Sequence, residues 1–300
     1  MSAEKVNERV YLLDTMALGQ PGTVAAYLIK GPKPALVDCG YASSFRTVLE
    51  EITKLGVPPN EIRYLIPTHV HLDHAGAAGA LLKEMPRAEV LAHGNAVPHL
   101  VDPRKLIQSA TRLFGEAIME AYGSPTAIPA ERVTVLGDQQ QLDLGDRMTV
   151  TVLYAPGHAP HQVALLLEEE KLLLTADAVG IVYPNMKILI PTTPPPNFEP
   201  EKLLHTVDML VQTTPVSLLV PHFGIRSDVD KVFEQTKSRV SAWLDKVTAM
   251  RSRGLSFDDI VDAMTTEVET EAGSELPIYA RLSVRVSVAG ITHYLEHRPD

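Results

Sequence analysis

Cysteine is nearly absent from this chain: Cys39 is the only one in 300 residues. An intramolecular disulfide is therefore excluded, and the usage fits a reducing compartment, so the expected location is the cytoplasm. No apolar run reaches the roughly 18–20 residues that a membrane-crossing helix needs. The opening stretch MSAEKVNERVYLLD is charged and lacks the apolar centre of a secretory signal. Basic residues are the minority charge, 27 Lys and Arg against 37 Asp and Glu, for a formal net charge of −10. Phosphate backbones demand a basic surface, so neither a nucleic-acid nor a membrane partner is expected. Heptad arrays, low-complexity tracts and solenoid repeats are missing as well.

What is present is a 45% hydrophobic chain, enough for a substantial core in one large domain or two small ones. Short apolar strands are predicted at Val10–Leu13, Val24–Ile29, Pro34–Gly40, Ile62–Pro67 and Ala88–His93. Helical spacing over Phe45–Leu55 and a small-residue stretch after Ala75 interleave with them, which indicates a mixed α/β fold. An amphipathic helix is predicted over Pro103–Tyr122, then strands at Arg132–Leu136, Met148–Tyr154, Gln162–Leu167 and Lys171–Thr175. A Pro-rich connection, Tyr183–Pro200, leads towards a strand at Ser217–Pro221. Helices are then expected over Asp228–Arg253, from a capping box at Ser256 and Asp259, and over Pro277–His297.

The chemistry concentrates in THVHLDHAG, Thr68–Gly76. In an extended segment alternate residues point the same way, so His69 and His71 aim at one point. Asp73 and His74 fall in the first turn of the following helix and aim at another. Neither pair completes a site, because catalytic zinc commonly takes three protein ligands plus water. His158 in APGHAPHQV, Asp177 in LLTADAVG and His222 in LLVPHFG are candidates for the rest, each polar and at the tip of an apolar strand.

The order Asp38, His69-x-His71-x-Asp73-His74, His158, Asp177, His222 resembles the metallo-β-lactamase superfamily, with all five of its motifs between residues 38 and 224. The resemblance implies a four-layer αβ/βα sandwich with two metals at one edge. It implies that His69, His71 and His158 hold one ion, that Asp73, His74 and His222 hold the other, and that Asp177 bridges both. Asp38 would orient ligands from behind. The expected organisation is a core over residues 1–226, with a helical insertion around 103–122, and a C-terminal helical region over 227–300.

Two divalent ions, zinc first with iron or manganese as the other choices, can hold a hydroxide between them near neutral pH. That hydroxide would attack an ester, thioester or lactone carbonyl of a small-molecule substrate, with Asp73 as the catalytic residue that helps orient it. Phosphodiester or phosphotriester hydrolysis uses the same machinery. A mononuclear iron dioxygenase acting on a persulfide and a metal-containing binding or signalling protein with residual hydrolysis are the alternatives from other classes. Family subtypes separate in part. The best-known secreted β-lactamases have Cys at the position of Asp177, and flavodiiron oxygen reductases have an acidic residue at the position of His71. The long C-terminal helical region resembles the thioesterase and lactonase-like branches.

Histidines outside the motifs are read as structural: His93, His99, His205, His293 and His297. His161 is read as local structure, since the family's frequent non-ligand histidine falls one residue later, where this chain has Gln162. Cys39 reads as a small buried residue. The connection that begins with Tyr183 starts six residues after Asp177, so Tyr183, Ile188 and Phe198 are expected to wall an apolar substrate pocket. The remaining apolar helix surface is expected to pack on the sandwich or in a homodimer.

Overall fold

The computed structural model describes residues 3–183, 186 and 188–297. Pro184, Asn185 and Lys187 of the Pro-rich connection lie outside the described residues. Two compact units form, one from residues 3–154, 161–176 and 218–225, the other from 155–160, 177–217 and 226–297.

The first unit carries both sheets, apart from the end residues Ser217 and Arg226. One sheet runs in chain order: β1 (Glu4–Lys5), β2 (Val10–Asp14), β3 (Ala25–Ile29), β4 (Ala35–Val37), β5 (Tyr64–Ile66), β6 (Glu89–His93) and β7 (Val133–Leu136). Neighbours are antiparallel up to β4 and parallel from there on. The other sheet is made from β8 (Gln141–Gly145), β9 (Met148–Tyr154), β10 (Val163–Leu167), β11 (Leu172–Leu174), β12 (Ser217–Val220) and β13 (Gly224–Arg226), again adjacent in chain order.

Strand alternation decides which residues go where. Leu12, Tyr27 and Val37 join a core shared with Val150, Val152, Leu165 and Leu174, so the two sheets face each other. Their chain neighbours Leu13, Leu28 and Leu36 enter a second core on the other face of the first sheet. There they meet Val48 and Ile52 of α1 (Phe45–Lys54) and Leu81 of α3 (Ala78–Glu84), which follows the short α2 (Leu72–Ala75). Burying a side chain of this size contributes about 1.5–3 kcal/mol, and a one-residue slip would turn both sets over at once, so the register is tightly specified. Gly76 and Gly79 are needed for close packing: a β-carbon at Gly79 would lie 2.0 Å from the Thr126 carbonyl oxygen.

The helix predicted over Pro103–Tyr122 is two helices. After α4 (Val97–Val101) come α5 (Arg104–Phe114) and α6 (Glu116–Tyr122), parted at Gly115, whose φ of 81° no helix accepts. Their inner faces pack with Leu72, beside the THVHLDHAG turn.

The second unit is helical: α7 (Pro200–Val211), α8 (Val229–Ser252), α9 (Phe257–Ala272) and α10 (Ile278–His297). The Ser256–Asp259 capping box opens α9, and Gly273, at φ 69°, ends it. Trp243, Met264, Val284 and Ile291 form its core together with Tyr183, Ile188 and Phe198. The apolar connection thus shares one core with the C-terminal helices. Helix α10 meets that connection backbone to backbone at Gly290, where a β-carbon would fall 1.7 Å from the Thr193 carbonyl oxygen. No helix among the described residues is long and apolar enough to cross a membrane.

Candidate metal centre

Parallel strands β4 and β5 end level with each other, Val37 opposite Ile66. The residues that follow are therefore neighbours: Asp38 on one strand, Thr68 and His69 on the other. Asp38 takes a positive φ of 57° and donates its backbone N–H to the Ile66 carbonyl at 3.1 Å. One of its carboxylate oxygens accepts from the Thr68 N–H at 2.8 Å and from the Thr68 hydroxyl at 2.9 Å. The other lies 2.9 Å from His74 Nδ1.

These contacts fix protons. A carboxylate oxygen only accepts, so His74 carries its proton on Nδ1 and its Nε2 keeps a lone pair. The Thr68 hydroxyl spends its proton on Asp38 and can only accept from His69 Nδ1, 3.2 Å away. His69 Nε2 is then also a lone-pair nitrogen, and it faces His71 Nδ1 at 2.9 Å. His222 obeys the same rule through the backbone: its Nδ1 lies 3.2 Å from the Thr23 carbonyl oxygen, which only accepts.

The lone-pair nitrogens of His74 and His222 both face Asp73 Oδ2, at 3.6 and 3.3 Å. The ligand atoms of Asp73, His74 and His222 all lie within 4.8 Å of one another. A tetrahedral ion with bonds of about 2.0–2.1 Å spaces its ligand atoms by about 3.3–3.4 Å, so this donor set fits a divalent cation. Lone pairs turned on a carboxylate at such range repel unless positive charge sits among them.

The second unit repeats the arrangement on another scaffold. His158 and Asp177 are both buried, with Nε2 3.4 Å from Oδ2. His158 Nδ1 lies 3.0 Å from the Thr192 carbonyl oxygen, and the Thr192 hydroxyl donates to the Asp177 carbonyl at 3.0 Å. The Pro-Gly turn before His158 is held against α7. The Thr206 hydroxyl donates to the Pro156 carbonyl at 2.6 Å, the Glu199 N–H to the Gly157 carbonyl at 2.8 Å, and Gly157 has φ 125° with no room for a β-carbon.

The first unit thus gathers Asp38, His69, His71, Asp73, His74 and His222, and the second pairs His158 with Asp177. Sequence reasoning passed over Thr68, although it stands inside the quoted stretch, and the carbonyls of Thr23 and Thr192, which carry no side-chain signal. Tyr183, Ile188 and Phe198 are buried within the second unit's core. Tyr122 stacks on Tyr41 at 4.0 Å; burial and then the Asp73 charge raise its hydroxyl's pKa, while the hydrogen bond to Tyr41 lowers it. Burial pushes the Cys39 thiol well up, with Asp38 adding to it. His93 Nδ1 accepts the Asn95 N–H at 3.0 Å, a local capping bond. His161 is buried among histidines; burial first, then His71, His99 and His93, bring its pKa down to about 3.

A family model described as the Metallo-beta-lactamase superfamily matches residues 19–222. The chain is 27% identical over 179 residues to the metallo-beta-lactamase fold-containing protein ST1585 of Sulfurisphaera tokodaii, covering 58% of this chain and 63% of that protein. It is 27% identical over 177 residues to flavo-diiron protein FprA2 of Clostridium acetobutylicum, covering 58% and 38%. To an N-acyl homoserine lactonase of Bacillus thuringiensis it is 23% identical over 180 residues, covering 59% and 61%. Each match spans less than two thirds of the relative's own length. The crystal structure of ST1585 from Sulfolobus tokodaii superposes with a TM-score of 0.69 at 21% identity, over 95% of this chain and 99% of that one, which is a likeness of fold.

Proposed function

From the premise that this chain belongs to the metallo-beta-lactamase superfamily, we propose that it is a dinuclear metal-dependent hydrolase acting on an ester, thioester or lactone carbonyl of a small molecule. In this reading His69, His71 and His158 hold one ion, Asp73, His74 and His222 the other, and Asp177 bridges them. The observation that carries it is the proton bookkeeping: His74, His222 and His158 each give Nδ1–H to an oxygen acceptor and turn Nε2 towards a carboxylate. Two bound divalent ions, zinc by preference, would supply Lewis acidity that brings a water's pKa to about 7 and offsets charge on the carbonyl oxygen.

The chain's own residues do the positioning. Asp73, half-buried between two histidines, orients the nucleophile, and Asp38 keeps His74 and His69 in the tautomers that ligation requires. Leu72 precedes Asp73, and the partly buried Ile107, Phe114 and Ile118 pack beside it, which supports a substrate with an apolar acyl group. The Tyr183–Phe198 connection is proposed as a further wall, with Tyr183, Ile188 and Phe198 stiffening it from within its core. The lactonase among the relatives supports the carbonyl class.

Similarity to FprA2 favours one second reading, iron-based redox chemistry. One experiment separates them: metal analysis of unsupplemented protein, then thioesters, lactones, aryl esters and phosphodiesters assayed with and without oxygen. Hydrolysis independent of oxygen, with two metals per chain, supports the proposal. Saturation at one equivalent, with iron and oxygen consumption on a persulfide, overturns it.

A further inference from the structure

His161 is a buried histidine beside His69 and His71 whose ring is not fully satisfied among the described residues. The residue is 5% exposed, and its buried Nδ1 has no hydrogen-bond partner among the described residues. Three imidazoles surround it: His99 at 6.0 Å between ring centres, His71 at 6.2 Å and His69 at 6.3 Å, the last nearly parallel. Those gaps are too wide for ring-to-ring hydrogen bonds, and none forms. Folds rarely bury a polar nitrogen without a partner, because the group loses water and gains nothing. His71 and His99 are only half-buried, so the cluster opens towards solvent on their side. His99 also borders a small cleft with Leu72, Leu100 and Leu106, the same apolar neighbourhood that adjoins Asp73.

We propose that His161, flanked by His99, is a substrate-positioning residue whose Nδ1–H holds the acyl oxygen of the substrate, and then of the carboxylate product, beside His71. This rests on the reading of the chain as an acyl hydrolase and goes beyond it by assigning a hydrogen-bonding subsite outside the metal ligands. Its chemistry is that of a neutral imidazole donor meeting an oxygen acceptor. Such a bond contributes to holding the substrate in place, so its loss raises KM more than it lowers kcat.

The test compares zinc-loaded wild type, H161F and H161N. Hexanoate binding is measured by calorimetry, alongside KM and kcat on the best substrate and zinc content of each protein. Asparagine places an amide N–H close to where Nδ1 stood. The expected result is hexanoate affinity about five- to tenfold weaker in H161F, with KM raised by a similar factor, kcat within about twofold and zinc retained. H161N should recover most of the affinity. Unchanged affinity and KM in H161F would overturn the subsite. So would zinc loss in H161F, or H161N as weak as H161F, since either would assign the ring a packing role. If no substrate is hydrolysed yet hexanoate binding still falls in H161F, the hydrolase reading fails and the subsite stands. Hydrolysis with hexanoate binding indifferent to residue 161 sinks the subsite alone.

Discussion

His74 gives its Nδ1–H to a side chain, the Asp38 carboxylate, whereas His158 and His222 give theirs to the backbone carbonyls of Thr192 and Thr23. All three end with Nε2 turned towards a carboxylate. A carboxylate partner adds negative charge and makes the imidazole a stronger ligand, and one substitution can remove it. A carbonyl partner is set by the course of the chain, so it is only as well placed as whatever holds that stretch. One kind of histidine is prepared by chemistry and the other by architecture.

The comparison breaks first at Asp73, which faces one histidine of each kind. Asp73→Asn removes the charge while keeping the shape. Single-turnover rates at matched metal content should fall by more than the roughly 10–100-fold typical of outer partners. Rates equal to wild type would remove Asp73 from its role. Next comes Asp38→Asn, which can still accept from Thr68 but presents an amide to His74 Nδ1–H. Metal affinity or activity should drop about 10–100-fold, and the His74 tautomer should change in nitrogen-detected NMR. The His158 and His222 signals should keep their tautomers, since their partners are carbonyls.

Gly157→Ala probes the architectural kind. A β-carbon there would lie 2.3 Å from Leu203 backbone atoms at φ 125°, so thermal melting should report a loss of about 1–3 kcal/mol. Wild-type stability would mean that α7 does not clamp the turn. The smallest effect is expected from His93→Ala, whose imidazole caps its own turn: turnover within about twofold and unchanged zinc content.

Among the candidate donors, Asp73 and His74 stood out in the sequence by their spacing from His69 and His71, while His69, His158, Asp177 and His222 stood out because each is a polar residue at the tip of an apolar strand, a contrast visible in one dimension. Asp38 was legible for the same reason, but the Thr68 hydroxyl that passes its influence to His69 was not, since threonine after a strand is ordinary. The break at Gly115 was hidden because the apolar spacing on either side continues across it. Helix α7 was hidden by the Pro-rich run before it, although Pro200 is a fitting first residue for a helix. The partners of Tyr183, Ile188 and Phe198 were not legible either, because they lie in helices far along the chain. Six residues from Asp177 along the chain, Tyr183 hydrogen-bonds Ser283 of α10 at 3.0 Å.

Gly290 shows how far the centre's dependencies extend. It lets α10 lie directly on Thr193, and the same strip is fastened twice more: the Thr193 hydroxyl donates to the Ser287 carbonyl at 3.0 Å, and the Ser287 hydroxyl to the Pro191 carbonyl at 2.5 Å. Thr192, between those two anchors, carries the carbonyl that holds His158. A methyl group at position 290 therefore has to push the backbone on which a ligand's tautomer depends. Anyone redesigning the last helix for solubility or for a fusion partner would be editing the surroundings of His158 from a distance, and the change would be read out in the tautomer of an imidazole that the helix never touches.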